Sequence, residues 1–412
     1  MLDIKFIREN TDLVIEAIAN RQDSTPLDEI LKIDTERRKK VSELEELRRT
    51  RKESARQKQA AADEGRDLRT RIRGLEEEVR GLDGQLNELL LQVPNIPQAT
   101  VPVGSSEEDN AVVRSWGELK SPAFPPKPHW ELGESLGIIS FEWGVKLSGT
   151  RFYVLKGMGA RLQRALITFM LDLHTSEHGY QEVYLPFMVK RECMVGSGNL
   201  PKFADNLYHD EEDDLWFVPT AEVPITNLHR DEIITPGTLP LYYVAYTACF
   251  RREKMSGGKD TRGIKRGHQF DKVEMYKLTE PFTSNEELEK MVDNAEDICR
   301  KLGLPYRILE LCTADLGFAS TKSYDVEMWA PGCGEWLEVS SCSNCGDFQA
   351  RRTNIRYRPA PDAKVQFVHT LNGSGLALPR VLIAVMENYQ NADGTINVPE
   401  ALQPYVGAEV IK

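Results

Sequence analysis

The feature that most constrains the fold of this chain is a run of apolar residues separated by alternate steps of four and three. The run consists of Leu68, Ile72, Leu75, Val79, Leu82, Leu86 and Leu89. This spacing is a heptad seam, which predicts a long helix with one apolar side. A looser version of the pattern precedes it, at Leu27, Ile30, Val41, Leu44 and Leu47. Two such helices can bury their seams against each other.

Both seams belong to a charge-rich segment, residues 27–92, which has no proline after Pro26. Gly65 lies between the seams, and a glycine can end one helix and turn the chain. We therefore expect two long antiparallel helices joined near Gly65. The alternative is a single long helix that pairs with a second copy of the chain, but Gly65 and the unequal seams favour the hairpin.

The distal part of this hairpin is basic, although the whole chain is acidic. From Arg48 to Arg73 there are ten Lys or Arg and four Asp or Glu, whereas the 412 residues carry a net charge of −12. The acidic total argues against general coating of nucleic acid, but nucleic acid responds to the local potential. This part is either a solvated helix surface or a phosphate-binding arm, and charge alone does not decide between them.

A stretch with three prolines, residues 93–110, separates the hairpin from a region with a different pattern. Beyond residue 113, strand-like runs alternate with helical runs, and the connections between strands are too short for helical crossovers. Neither G-x-G-x-x-G after a strand nor a Walker loop occurs, which argues against a Rossmann or P-loop site. We predict an α+β fold with a helical-hairpin domain (1–100), a linker (101–112) and a domain built on a mainly antiparallel sheet flanked by helices (113–412).

The apolar runs and the cysteines bear on the location of the chain. No run of eighteen apolar residues occurs, and the first ten residues include charges and lack the apolar core of a signal peptide, so we expect a cytoplasmic protein without a membrane partner. The seven cysteines are then expected to be reduced. Cys342 and Cys345 have the spacing of a zinc half-site, but a second pair is missing although Cys333 is nearby. We therefore expect no zinc.

The segment from Cys249 to Lys277 is a second basic stretch, with nine Lys or Arg against four Asp or Glu. If its two ends are strands, Arg251 and Glu253 share a face, and so do Phe270, Lys272 and Glu274. An arginine fork suits phosphate or carboxylate, an aromatic ring suits a base, and a carboxylate suits an ammonium. The alternative is an ordinary hairpin with a solvated tip.

Several motifs resemble one known family. Cys249–Lys277, with its F-R-x-E opening, resembles motif 2 of the class II aminoacyl-tRNA synthetases. "NGSGLALPRVLIAVMENYQ" (372–390) resembles motif 3, and "HGYQEVYLPFMV" (178–189) resembles the dimer-forming motif 1. "VPTAEVPITNLH" (218–229), "RGHQFDKVEMYK" (266–277) and "LEVSSCSNCGDFQARR" (337–352) are similar to the seryl-tRNA synthetases, which also carry an N-terminal helical arm like residues 27–92.

The resemblance implies an ATP-dependent serine–tRNA ligase that forms seryl-adenylate and pyrophosphate and then transfers serine to tRNA. Arg251 and Arg380 are the implied catalytic residues, and Arg251 would contact both the α-phosphate of ATP and the serine carboxylate. Glu253 would hold the adenine amino group, while Phe270 and Arg380 would stack on opposite faces of the adenine. The implied ATP-binding residues are Arg251, Arg252, Glu253, Phe270, Glu338, Val339, Ser340, Ser341 and Arg380.

The same resemblance implies a serine pocket and a metal site. The serine pocket would consist of Thr220, Ala221, Glu222, Arg251, Glu274 and Ser374. Which of the two carboxylates takes the ammonium and which the hydroxyl stays open. Glu338 and Ser341 would bind Mg²⁺, for which oxygen ligands are suitable. Because residues three apart lie on opposite faces of a regular strand, the strand must bulge or end near Ser340 if both bind the ion.

The chain departs from the family pattern at Pro379, where glycine usually precedes the motif 3 arginine. Because proline is tolerated in the first turn of a helix, we expect a helix that begins at about Leu378.

The implied partners are tRNA(Ser), also tRNA(Sec) where present, and a second copy of the chain in a homodimer. Two alternatives are a paralogue that charges a protein carrier and a non-catalytic scaffold. The basic arm argues against the first, and the complete set of motif residues argues against the second.

Overall fold

A computed structural model describes residues 1–57, 62–119, 123–254 and 261–412 of the chain. It contains two compact units, an N-terminal unit (Met1–Pro94) and a C-terminal unit (Asn95–Lys412). The division therefore falls at 94/95, before the predicted boundary at 100 and the predicted linker 101–112. Asn95 already belongs to the second unit because its side-chain amide donates 2.8 Å hydrogen bonds to the carbonyls of Ala319 and Cys345.

The described residues of the N-terminal unit form four helices. They are α1 (Ile4–Glu9), α2 (Thr11–Asn20), α3 (Leu27–Gln57) and α4 (Ala62–Leu90). Arg8 of α1 forms an ion pair of 2.8 Å with the buried Asp34 of α3, which ties the short helices to the base of the long ones. Leu44, Ile72 and Leu75 form the centre of a small apolar core between α3 and α4.

The antiparallel hairpin predicted from the heptad seam is confirmed. Ion pairs between α3 and α4 of the same chain, such as Lys40–Glu78 at 2.6 Å and Arg48–Glu76 at 2.7 Å, exclude the single-rod alternative. The predicted role of Gly65 is wrong, because this residue lies inside the first turns of α4. The link between the helices includes residues 58–61, which are outside the described residues. A glycine inside a helix costs only about 1 kcal/mol, so the apolar packing of the seam on α3 is enough to keep the chain helical at Gly65.

The C-terminal unit is larger and combines helices with a sheet. Its helices are α5 (His129–Ser135), α6 (Phe141–Ser148), α7 (Met158–Ser176), α8 (Arg191–Ser197), α9 (Glu222–Thr226), α10 (Ser284–Lys301), α11 (Phe348–Thr353), α12 (Leu378–Asn388) and α13 (Gln403–Val406). Its longer strands are β1 (Ala111–Trp116), β9 (Leu241–Phe250), β10 (Gln269–Thr279), β11 (Tyr306–Glu310), β12 (Lys322–Ala330), β13 (Glu335–Asn344) and β16 (His369–Ala377). The short strands are β2 (Ile139–Ser140), β3 (Val154–Leu155), β4 (Gln181–Glu182), β5 (Met188–Lys190), β6 (His209–Asp210), β7 (Leu215–Phe217), β8 (Ile233–Ile234), β14 (Arg356–Tyr357), β15 (Gln366–Phe367), β17 (Ile396–Asn397) and β18 (Val410–Ile411).

An eight-stranded sheet forms the centre of this unit, in the order β1-β11-β12-β13-β16-β10-β9-β4. All of its neighbours are antiparallel except the pair of β4 and β9 at one edge. The prediction of a mainly antiparallel sheet flanked by helices is therefore confirmed. α7, α10 and α12 contribute to its largest apolar core; α10, for example, buries Leu288, Met291, Val292 and Ala295 at helical spacing.

β13 contains the irregularity that the sequence required. In its pairing with β12, Val326 lies opposite Ser340 while Glu327 lies opposite Glu338, so Val339 is an extra residue on the β13 side. This is a β-bulge, and it turns Glu338 and Ser341 toward the same face of the sheet. The predicted start of the motif 3 helix is also confirmed, because α12 begins at Leu378 and Pro379 lies in its first turn.

No helix in the described part of the chain is long and apolar enough to cross a membrane.

Candidate active site

A pocket of about 430 Å³ opens on the face of the sheet where β10, β13 and β16 meet the start of α12. It gathers residues that are far apart in the sequence. The predicted site residues that line it are Thr220, Glu222, Arg251, Glu253, Phe270, Glu274, Glu338, Val339, Ser341, Ser374 and Arg380. β10 supplies Phe270 and Glu274, and register pairs Glu274 with Ser374 of β16. Arg251 and Glu253 follow the end of β9 at Phe250, and Glu253 has a φ of +52°, so these two residues do not lie on a strand as the sequence predicted.

Three predicted residues are not among those that line the pocket. Ala221 is fully buried in a neighbouring apolar core. The Ser340 hydroxyl points to β16 and donates a 2.6 Å hydrogen bond to the carbonyl of Ser374. The Arg252 guanidinium donates to the carbonyl of Leu207 at 2.8 Å and lies 4.4 Å from the centre of the Tyr208 ring. The side chains of Arg251 and Arg252 point apart, as consecutive residues of an extended chain do.

Glu274 belongs to a buried polar cluster that the sequence did not reveal. The hydroxyl of Thr220 donates a 2.8 Å hydrogen bond to Glu274 Oε2 and accepts one of 2.8 Å from Lys272 Nζ. Lys272 also forms a direct ion pair with Glu274, and both residues are less than a tenth exposed. A buried carboxylate is tolerated when such partners offset the cost of desolvation. Glu274 is therefore already neutralised by a lysine of the protein.

Glu222, the second carboxylate of the pocket, has amides rather than a cation as its direct partners. Gln349 and Asn372 donate to its Oε1 at 2.6 Å and 3.2 Å. Burial, and then the nearby charge of Glu274, raise the pKa of Glu222 to about 7. A carboxylate in this state favours a positively charged group that can replace the missing cation.

Arg251 lies against the ring of Phe270. Its guanidinium carbon is 5.1 Å from the ring centre, and its Nε donates to the carbonyl of Pro219 at 3.2 Å. A guanidinium over an aromatic face is a cation–π arrangement. The fork is thus held at the wall of the pocket by the backbone of residue 219.

Glu338 and Arg380 form a second contact between charged groups in the site. Arg380 Nη1 donates to the carbonyl of Glu338 at 2.6 Å and to its Oε2 at 3.0 Å. Burial alone would raise the pKa of Glu338, but Arg380, followed by Arg251 and Arg266, lowers it below the ordinary value. The bulge at Val339 brings the ionised carboxylate of Glu338 and the hydroxyl of Ser341 to one face, and these oxygen ligands fit Mg²⁺.

Two cations of the pocket, Lys265 and Arg266, were not assigned a role from the sequence. Arg266 Nη1 lies 3.6 Å from Glu253 Oε2, and Lys265 forms an ion pair with Glu335. Both also line an adjoining cavity of about 670 Å³, which shares Glu338, Ser341 and Arg380 with the pocket. Their only signal in the sequence was the basic character of the segment. The site therefore joins a polar end, with two carboxylates and hydroxyls, to an end rich in Arg and Lys.

Comparisons with known proteins agree with this arrangement. Residues 203–389 match the sequence model of the "tRNA synthetase class II core domain (G, H, P, S and T)", and residues 1–97 match that of the "Seryl-tRNA synthetase N-terminal domain". A serine–tRNA ligase of Dehalococcoides mccartyi is 63% identical over the full length of both chains. One of Thermomicrobium roseum is 59% identical over 99% of this chain and 94% of its own length.

A solved structure supports the same relationship in three dimensions. The seryl-tRNA synthetase of Pyrococcus horikoshii complexed with ATP superposes with a TM-score of 0.94 at 40% identity, covering 100% of this chain and 99% of its own.

Proposed function

Since the chain belongs to the seryl-tRNA synthetase family of class II aminoacyl-tRNA synthetases, we propose that its pocket joins L-serine to ATP and then passes the seryl group to tRNA. The observation that carries this proposal is that one pocket brings together two sets of groups: the carboxylates Glu222 and Glu274 beside hydroxyls, and the cations Arg251, Lys265, Arg266 and Arg380. The first suits an amino acid with one ammonium and one hydroxyl, and the second suits a triphosphate.

Serine recognition rests on the two unequal carboxylates. Among the described residues, the direct partners of Glu222 are amides and not a cation, so it takes the ammonium of serine, whose positive charge lowers the cost of ionising the buried carboxyl. Glu274, which already has Lys272 and Thr220 as partners, accepts a hydrogen bond from the serine hydroxyl together with Ser374 on the neighbouring strand. This assignment leaves the serine carboxylate for the Arg251 fork.

Activation is a displacement at the α-phosphorus of ATP. A carboxylate oxygen of serine forms the new bond to phosphorus, the bond to the bridging oxygen breaks, and pyrophosphate leaves with its electron pair. Arg251 binds both the serine carboxylate and the α-phosphate, so it orients the two reactants and stabilises the developing charge. Phe270 and Arg380 hold the adenine, and Glu253 accepts a hydrogen bond from its amino group.

Lys265 and Arg266 provide further positive charge for the leaving phosphates. Glu338 and Ser341 would hold Mg²⁺, which neutralises phosphate charge when it is bound. In the second step the 3′-terminal ribose hydroxyl of tRNA attacks the seryl carbonyl, and AMP leaves.

The N-terminal unit is the partner-binding part of the proposal. Ten Lys or Arg between Arg48 and Arg73 suit the phosphates of tRNA(Ser), and of tRNA(Sec) where it is present. The motif 1 elements α7 and β4 would form a homodimer in the cytoplasm. β4 is an edge strand, and the nearby Tyr184 is 86% exposed, which fits a surface covered by a second copy.

Two assays, performed one after the other, test the function. Serine-dependent ATP–pyrophosphate exchange is measured first with the purified full chain, and alanine, which lacks the hydroxyl, serves as the control amino acid. Charging of tRNA(Ser) and tRNA(Sec) is measured next. Exchange without charging would support the carrier-charging paralogue, and the absence of both activities would support the scaffold.

A further inference from the structure

A buried cluster of three side chains, His129, Cys333 and Glu387, lies outside the residues that line the pocket. His129 Nδ1 is 3.0 Å from Glu387 Oε1, and Cys333 Sγ is 3.1 Å from the same oxygen and 3.7 Å from Nδ1. His129 and Glu387 are almost fully buried. The three residues come from α5, from the turn between β12 and β13, and from α12, so the cluster joins elements that are distant in the sequence.

The hydrogen bonds around the cluster determine which ring nitrogen carries the proton. The backbone N–H of Ile264 donates to His129 Nε2 at 3.1 Å, so Nε2 must be an acceptor. The proton of the neutral ring is therefore on Nδ1, where it is donated to Glu387 Oε1. Glu387 also accepts hydrogen bonds of 2.9 Å from the backbone N–H groups of His129 and Cys333. Burial would raise the pKa of Glu387, but the hydrogen bonds from the side chains of His129 and Cys333 lower it below its ordinary value.

This tautomer argues against a metal ion at the cluster, although its three ligand atoms are close enough to hold one. A metal bound to Nδ1 would replace the proton there, and a neutral imidazole would then carry its proton on Nε2. That proton would face the N–H of Ile264, and two donors would oppose each other. In the structure, each hydrogen-bond donor of the cluster faces an acceptor.

The residue held by His129 belongs to the returning limb of motif 2. Ile264 is fully buried in the main core, and Arg262 lies 4.9 Å from the centre of the Trp130 ring. Gly263 has a φ of +68°, and a Cβ on it would lie 1.9 Å from His129 Nε2, so only glycine allows this close approach. The next two residues are Lys265 and Arg266, two of the cations that line the pocket.

We propose that His129 and Glu387 are positioning residues for the triphosphate of ATP: they fix the backbone at Ile264 and thereby keep Lys265 and Arg266 in the pocket. The proposal rests on the proposed function for the identity of the ligand. It differs from a role in general stability because it assigns the pair to one end of the site. The residues that take the ammonium and the hydroxyl of serine, Glu222 and Glu274, lie outside this limb.

The test compares His129→Leu with the matched control His369→Leu. His369 is partly buried and its Nδ1 lies 2.9 Å from the hydroxyl of Ser284, but it lies outside the residues that line the pocket. In the exchange assay we expect His129→Leu to raise KM for ATP at least about tenfold, as the loss of hydrogen bonds to charged groups does. KM for serine should stay within about twofold, and the control should change neither constant. Amide hydrogen exchange of residues 261–268, measured without substrate, should become faster only in His129→Leu.

Gly263→Ala is the second variant, because it disturbs the same contact from the loop side without replacing His129, Cys333 or Glu387. It should give the same selective rise in KM for ATP. If KM for ATP is unchanged in both variants, or if both KM values rise equally and the control behaves alike, the proposal is overturned. Stoichiometric zinc in the purified protein that is lost in Cys333→Ser would overturn it as well. The exchange of amide hydrogens needs no catalysis, so the proposal can be judged even if the wild-type chain activates another amino acid.

Discussion

Two glutamates in one pocket show how neighbours give the same residue type different properties. Glu274 has Lys272 beside it and a hydroxyl hydrogen bond from Thr220, whereas Glu222 is held by the amides of Gln349 and Asn372. The ionised form is therefore matched by a cation in one case and not in the other. This difference explains why the pKa of Glu222 is raised to about 7.

The raised pKa of Glu222 predicts a pH dependence. Because serine requires the ionised carboxylate in the proposed assignment, kcat/KM for serine should fall about tenfold per pH unit below about pH 7. Glu222→Gln should lower kcat/KM and remove this step from the profile of the exchange assay. The raised pKa has the opposite effect on stability. The buried, ionised carboxylate opposes folding above about pH 7, and this penalty shrinks as the pH falls toward the pKa that the carboxyl has in the unfolded chain. A step that persists in Glu222→Gln belongs to another group.

Arg251 and Arg252 form a second residue-level contrast, since only the first lines the pocket. We expect Arg251→Ala to lower the rate of ATP–pyrophosphate exchange by about 10²–10³, the usual loss when one group that stabilises the transition state is removed. Arg252→Ala removes an adjacent arginine that packs on Tyr208, and its loss should be less than about threefold. Exchange within threefold of wild type for Arg251→Ala would contradict the assigned role.

At the scale of single elements, α4 shows how a seam overrides weak local signals. Gly65, Gly74, Gly81 and Gly84 all lie within this helix, and a Cβ on any of them would meet open space. The helix persists because its apolar seam packs on α3. The bulge of β13 shows the opposite case, in which one extra residue changes the direction of the side chains that follow it.

The open glycines of α4 predict a gain in stability. Replacement of Gly74 and Gly81 together by alanine should stabilise the arm by about 1–2 kcal/mol, because each glycine costs nearly 1 kcal/mol in a helix interior. The measurement is the thermal unfolding of residues 1–94, followed by circular dichroism. Gly303→Ala in the full chain should have the opposite sign, since its φ is +65° and its Cβ would lie 2.8 Å from the hydroxyl of Tyr389. A less stable arm in the double variant would refute the helical placement of these glycines.

At the scale of the whole molecule, the two units carry separate parts of the proposed reaction. The pocket residues all belong to the C-terminal unit, and the basic arm belongs to the N-terminal unit. The interhelical ion pairs of the arm lie at its surface and add little stability. The arm is therefore stabilised mainly by the apolar core between α3 and α4.

This separation predicts the outcome of a deletion. Removal of residues 35–85, with a short Gly/Ser turn in their place, keeps Asp34 paired with Arg8 and retains the buried Leu86 and Leu90. Serine-dependent exchange should stay within about twofold, while charging of tRNA should become severely weaker.

In the intact chain, tRNA affinity should fall with salt by about 0.7–0.9 log units per tenfold increase for each phosphate contact. Unchanged charging by the deleted chain would show that the arm does not bind tRNA. A collapse of exchange in a folded chain would show that the two units are not independent.

The sequence by itself determined the features that depend on neighbours along the chain. The heptad seam specified the hairpin, and proline chemistry specified the start of α12 at Leu378. The strand period specified the bulge beside Ser340, once Glu338 and Ser341 were assigned to one site. Only the tertiary structure decided the partners of each charge. The pairing of Lys272 with Glu274 and the contact of His129 with Ile264 depend on strand register and on packing between distant segments. Local patterns do not encode such contacts, because a hydrogen bond across 135 residues leaves no periodicity in the sequence.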